Sequence, residues 1–145
     1  MGSSLLLDPL AVLEPVGSFH HDLLAIRELP DHVLLVAARL TQAFNALAKT
    51  GATRYVIDLR GATRGDLEDG LAAARLFVKP GTLAIRESKG GKESVSAQAG
   101  DGVIAAPVVL LVDQSTARAG EVFAAALDGN KRAEMIGEHT VGSAA

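Results

Sequence analysis

The sequence predicts an α/β fold built on a mostly parallel sheet, and three observations predict it. Short apolar runs with β-branched residues, "RYVIDLRG" and "APVVLLVD" above all, have the length of buried strands. Stretches with helical apolar spacing separate them. The two kinds of segment alternate along the chain, and a parallel sheet with crossover helices is the simplest way to bury both. At 145 residues and 48% hydrophobic, the chain suffices for one domain with a core of its own.

Residues 1–20 read as a leader or linker. "MGSSLLLDPLAVLEPVGS" lacks the positive start and long apolar stretch of a secretory signal, and Asp8, Pro9 and Glu14 interrupt it. The core is expected over residues 21–145. Leu23–Arg27 can form a short strand, and Pro30–Asp31 then looks like a helix start, with Asp31 as candidate N-cap. In the helix that follows, Leu35, Ala38, Leu40, Phe44 and Leu47 recur at roughly helical spacing, and Gly51 is placed to end it. "RYVIDLRG" is a strand entering a loop. "DLEDGLAAARLFV" is a second helix closed by Pro80–Gly81, with Asp66, Glu68 and Asp69 offsetting the dipole in its first turn.

"TLAIRESKGGKESVSAQA" alternates apolar and polar residues around Gly90–Gly91, as a hairpin exposed on one face does, with Lys89 and Lys92 at a solvated tip. After the strand "APVVLLVD", "STARAGEVFAAALDG" turns into a third helix with Thr116 as its expected cap, and "AEMIGE" is a short last strand.

Composition excludes several functions. The net charge of −3 comes without a basic run to gather phosphates, so nucleic acid is not an expected partner. The longest apolar run, Val103 to Val112, contains Pro107 and is far below the ~20 residues that span a bilayer. The absence of cysteine excludes thiolate chemistry and cysteine-ligated zinc. His20, His21, His32 and His139 have no acidic neighbours at metal-ligand spacing, so no metal and no cofactor are expected.

Chemistry is most readily placed where a strand meets a small-residue turn that opens a helix, because free amides and the helix dipole there face a developing oxyanion. Ser115 and Thr116 lie in such a turn, either as hydroxyls near a site or as helix caps. His139 follows the last strand and is either a base for them or a solvated loop residue.

"RYVIDLRGATRG" followed by "APVVLLVDQSTARAGEVFAAALDGNKRAEMIGEHTVGS" resembles the S41 peptidases, the C-terminal-processing or tail-specific proteases, over about Leu23 to Ser143. In that family a strand ending Asp-Leu-Arg enters a Gly-Gly loop. A later strand enters a Ser-Ala-Ser-Ala-Ser-Glu-like turn, and a Gly-Glu-x-Thr-x-Gly-Lys loop closes the set. Asp58, Leu59 and Arg60 match the first motif, and Gly65 matches the second glycine while Arg64 replaces the first. Val112, Thr116, Ala117, Ala119 and Glu121 match the turn, and Gly137, Glu138, Thr140 and Gly142 match the last loop.

The family's nucleophilic serine falls on Arg118 and its general-base lysine on Ser143, at the family's separation. An arginine stays protonated below pH ~12 and is neither nucleophile nor base. A serine does not replace a desolvated amine.

The resemblance implies the ClpP/crotonase-like spiral α/β fold, an oxyanion hole at Gly65 and Ala119, and a peptide or protein C-terminal segment as partner. It also implies a chain that stops short of the strands usually following the lysine loop, as a fragment does, leaving a sheet edge open to self-association or a partner strand. Members usually work in the bacterial envelope or organelle lumens.

The expected function is therefore a catalytically inactive S41 homologue, a pseudopeptidase retained for peptide binding or assembly. Within it, Arg118 either receives a carboxylate or pairs with Glu121 one turn on. The alternative is an active serine or threonine hydrolase with Thr116 or Ser115 as displaced nucleophile and His139 as base. A crotonase-like acyl-thioester enzyme shares the oxyanion geometry, but no CoA signature favours it.

Overall fold

The computed structural model describes residues 5–7, 11–15, 23–28 and 37–142. Its elements are β1 (Leu5–Leu7), β2 (Ala11–Pro15), β3 (Leu23–Glu28), α1 (Ala37–Lys49), β4 (Arg54–Asp58), α2 (Leu67–Arg75), β5 (Thr82–Ser88), β6 (Gly91–Ser96), β7 (Val108–Val112), α3 (Ala119–Gly129) and β8 (Ala133–Gly137). The alternation expected from the sequence organises one six-stranded sheet in the order β1-β2-β3-β4-β7-β8. From β3 to β8 the strands are parallel, and each step within that run crosses over through a helix.

Residues 1–20, read as leader or linker, carry β1 and β2, which pair antiparallel with each other, and β2 pairs antiparallel with β3. Two apolar runs, Leu5–Leu7 and Ala11–Leu13, are long enough for such short strands. The proposed start of the first helix, with Asp31 as cap, lies outside the described residues, as do His20, His21 and His32.

The hairpin stands apart as its own two-stranded sheet, with Ser88 opposite Gly91 and Lys89–Gly90 as the two-residue turn. It is tied down at its base. Asn130 Nδ2 donates to Thr82 O at 2.8 Å, and after β6 the Gly102 and Ile104 amides donate to Arg75 O and Leu76 O at 2.7 and 2.8 Å.

Ring contacts run through the core from α1 to α3. Phe44 lies 4.3 Å from Tyr55 and 5.4 Å from Phe77, and Phe77 lies 5.5 Å from Phe123, all four rings buried. Tilted and edge-on pairs of this kind add to simple burial. Arg132 closes the open end beneath them, donating to the carbonyls of Phe77, Ile104 and Ala106 at 2.8–2.9 Å. Burial holds its pKa below the ordinary guanidinium value.

Helix α2 lies directly against α3, and Gly70 permits it. A Cβ at Gly70 would stand 2.7 Å from Ala119 O and 2.8 Å from Val122 Cβ. Glycine inside a helix ordinarily costs ~1 kcal/mol relative to alanine. Here the helix–helix contact outweighs that preference. Gly70→Ala is expected to lower stability by about 1–3 kcal/mol, while Gly129→Ala, with nothing within 4 Å of the new methyl, leaves it unchanged or raised. Urea unfolding midpoints of the two variants check this, and equal midpoints would contradict it.

Candidate functional site at the C-terminal ends of the parallel strands

The parallel strands deliver their following loops to one end of the sheet, where α/β proteins usually place their chemistry. Three loops meet there: residues 59–66 after β4, 113–118 after β7 and 138–142 after β8. Among the described residues only Asp58, Thr116 and Glu121 are buried polar or charged groups, and all three serve this end. Buried polar groups must find partners. Each of these holds a loop in place.

Thr116 is the central one. Its side chain is fully buried, and its hydroxyl donates to Leu59 O at 2.9 Å while accepting from the Asp113 amide at 3.1 Å. Ala117 N donates to Ala62 O at 2.8 Å, and Gly61 N to Ser115 Oγ at 2.7 Å. Together these bonds stitch the loops after β4 and β7 into one wall.

Asp58 is neutralised by Arg60 in a two-pronged contact at 2.9 and 2.8 Å, and its carboxylate raises the Arg60 pKa. Glu121 accepts from the Gly142 amide, and Thr116 O accepts from Val141 N at 3.1 Å. The last loop is thereby fastened to helix α3 and to the Thr116 turn.

The expectation that Thr116 caps α3 is corrected. The N-cap position is Arg118, with no side-chain cap hydrogen bond, because the Thr116 hydroxyl is already committed to Leu59 and Asp113. At α2, by contrast, the carboxylates expected in its first turn form a full capping box, Asp66 with Asp69, at 3.0 Å in both directions. One helix start carries a side-chain cap and the other does not.

Arg118 has φ 51° and ψ −119°, a combination that L-residues other than glycine rarely adopt. It stands exposed at the apex of the turn. Such backbone strain costs about 1–3 kcal/mol and persists only where the surroundings impose it. The stitched wall imposes it here.

Beside the apex, Gly65 has φ 87°, and a Cβ there would fall 2.8 Å from Ala119 Cβ, so the two residues expected to form an oxyanion hole are neighbours. Neither amide donates to a turn or loop hydrogen bond among the described residues.

The displaced-nucleophile candidates are placed otherwise. Thr116 is out of reach of solvent, and Ser115 directs its hydroxyl proton to Asp113 Oδ1 at 2.5 Å. His139 is exposed and lines a hollow with Gln114 and Glu138; no hydrogen bond links it to Ser115 or Thr116 among the described residues. Ser143 lies outside the described residues. No group of His, Cys, Asp or Glu among the described residues could hold a metal ion.

A groove of about 930 Å³ opens alongside, between β5 and α3, bounded by Leu67, Ile85, Arg86, Val122 and Thr140. Sequence reasoning alone did not show the roles of two organisers of the site. Asp113 shapes the turn by accepting from the Ser115 amide and hydroxyl, and Glu121 holds the last loop. A signal for Glu121 was present: it is the only charged residue between Ala119 and Leu127, in an otherwise apolar helix.

If the turn imposes the Arg118 backbone, a glycine there should relieve it and an alanine should not. Arg118→Gly is expected to unfold at a higher urea midpoint than Arg118→Ala, by about 1 kcal/mol. Equal stability of the two would show that the position is unstrained.

Residues 24–145 match Peptidase_S41, peptidase family S41. The chain is 39% identical over 103 residues to a carboxyl-terminal-processing protease of Picosynechococcus sp. (strain ATCC 27264 / PCC 7002 / PR-6), covering 71% of this chain and 25% of that one. It is 36% identical over 107 residues to the carboxy-terminal processing protease CtpA of Bacillus subtilis (strain 168), covering 73% and 23%.

Among solved structures, a photosystem II D1 C-terminal processing protease superimposes with a TM-score of 0.73 at 34% identity, over 89% of this chain and 33% of that one. A putative S41 protease from Bacteroides fragilis NCTC 9343 shares the fold, with a TM-score of 0.66 at 18% identity over 93% and 40%. The chain spans about a quarter of the length of the curated relatives it matches. Its α/β architecture is that of S41 protease structures, and by sequence and fold this chain belongs to peptidase family S41.

Proposed function

We propose that this chain is a catalytically silent S41 domain, with the ClpP/crotonase-like spiral architecture, that binds the C-terminal segments of peptides or proteins. One observation carries the proposal: the strained apex of the turn presents a guanidinium where the family resemblance expects a serine hydroxyl. A nucleophile's setting is present and the nucleophile is not. Arginine offers no attacking lone pair at any pH the fold tolerates, but it is the side chain best shaped to receive a carboxylate in two parallel hydrogen bonds.

The surroundings support the same ligand. The start of α3, which has no side-chain cap, places a partial positive charge beside Arg118, and the Gly65 and Ala119 amides flank it. The groove along β5 and α3, with Glu121 and Val122 in its lining, offers an extended segment a largely apolar bed on the same helix. Relatives named for processing carboxyl termini, one of them for the D1 protein of photosystem II, suggest which end of a polypeptide arrives.

The runner-up, a hydrolase using Thr116 or Ser115 with His139, would need the Thr116 side chain to leave its buried bonds or Ser115 to give up its contact with Asp113. No observation favours it.

Labelling with a fluorophosphonate separates the readings. The natural chain is expected to remain unlabelled, and a variant carrying Arg118→Ser and Ser143→Lys is expected to label. Labelling of the folded natural chain would overturn the silent reading.

A further inference from the structure

The groove between β5 and α3 has one cation among its lining residues, Arg86. Strand geometry puts it there. Side chains alternate along β5, and Ala84, packed against the core, sets Arg86 two residues on along the same inward side, while Ile85 and Glu87 are exposed.

The partners of that guanidinium are incomplete. Nη2 donates to one carboxylate oxygen of Glu68, in the first turn of α2. Nε is closed off from solvent and has no hydrogen-bond partner among the described residues. Glu93 lies opposite Arg86 on β6, yet forms no ion pair with it. A buried donor without an acceptor is costly, and rare in a native fold.

Nε and Nη2 share one edge of the guanidinium, spaced to receive both oxygens of a single carboxylate. Glu68 uses half of that edge. Its side chain is 69% exposed and that of Arg86 39%, and an ion pair so open to water contributes little to stability. A carboxylate that takes the place of Glu68 and engages both positions supplies the acceptor that Nε lacks. The other acids in the lining are held elsewhere: Glu121 accepts from the Gly142 amide, and Glu87 lies 3.7 Å from Lys92.

We propose that Arg86 is a specificity-determining residue of the groove. It exchanges Glu68 for an acidic side chain of the bound segment, upstream of that segment's C-terminus, turning from α2 toward the groove as it does so. This rests on the peptide-binding reading and names the kind of sequence such a segment carries.

The test uses short fluorescent peptides with a free C-terminal carboxylate, Glu being placed at each upstream position in turn and Gln serving as its neutral twin. Binding is read by fluorescence anisotropy. At one position Glu is expected to bind more tightly than Gln by about fivefold or more. Arg86→Gln, verified as folded by circular dichroism, is expected to abolish that difference. Glu68→Gln, which removes the competing carboxylate, is expected to widen it by about two- to fivefold.

Glu and Gln peptides that bind equally at every position would overturn the proposal, as would a Glu preference that survives Arg86→Gln. Repeating the series with C-terminal amides separates this result from the reading beneath it. A Glu preference with no loss of affinity in the amides keeps Arg86 and removes Arg118 as the receiver of the terminal carboxylate; the loss without the preference does the reverse. Absence of binding by every peptide would sink both.

Discussion

The site depends on a single buried hydroxyl. Thr116 Oγ1 donates to Leu59 O and accepts from Asp113 N, and so joins the exits of two parallel strands, β4 and β7, through a side chain with no exposure to solvent. A buried donor or acceptor left unpaired costs about 1–3 kcal/mol. Thr116 therefore fixes both loops. The wall it makes, with Ala117 N on Ala62 O and Gly61 N on Ser115 Oγ, leaves the chain no relaxed route into α3, and Arg118 takes up the strain.

That order of cause explains how the strained backbone can outlast a change of side chain. The backbone at 118 is dictated by bonds made by residues 113 to 117 and by the loop after β4, none of which involves the side chain at 118. Replacing that side chain alters what the apex offers to a ligand while leaving the apex in place. Geometry and chemistry at this site are thus separable. In the proposed function, amides and a helix start that the family resemblance assigns to an oxyanion would serve a carboxylate as well, because both present negative oxygen.

Much of the fold was legible because its signals are local. The runs at Arg54–Asp58 and Val108–Val112, the capping carboxylates Asp66 and Asp69, and the hairpin, expected around Gly90–Gly91 and turning one residue earlier at Lys89–Gly90, each announce themselves within a few residues. The strands within residues 1–20 were not read, since two short apolar runs broken by Asp8 and Pro9 carry no periodicity to separate them from a linker. The role of Thr116 was misread for a related reason. A threonine ahead of a helix looks like a cap, and only tertiary pairing reveals that its partner lies 57 residues earlier. That Gly65 and Ala119 are neighbours across the loops was suggested by family motifs, not by local spacing. Asp113 and Glu121 act through contacts that spacing alone does not display.

The central claim is that Arg118, set at a strained apex beside the Gly65 and Ala119 amides, receives a terminal carboxylate. The most direct measurement is calorimetric titration of the natural chain with one peptide made in two forms, as the free acid and as the C-terminal amide. A charge-assisted pair of hydrogen bonds corresponds to a preference of about tenfold or more. The account predicts that preference for the acid. Equal affinity for the two forms would contradict it.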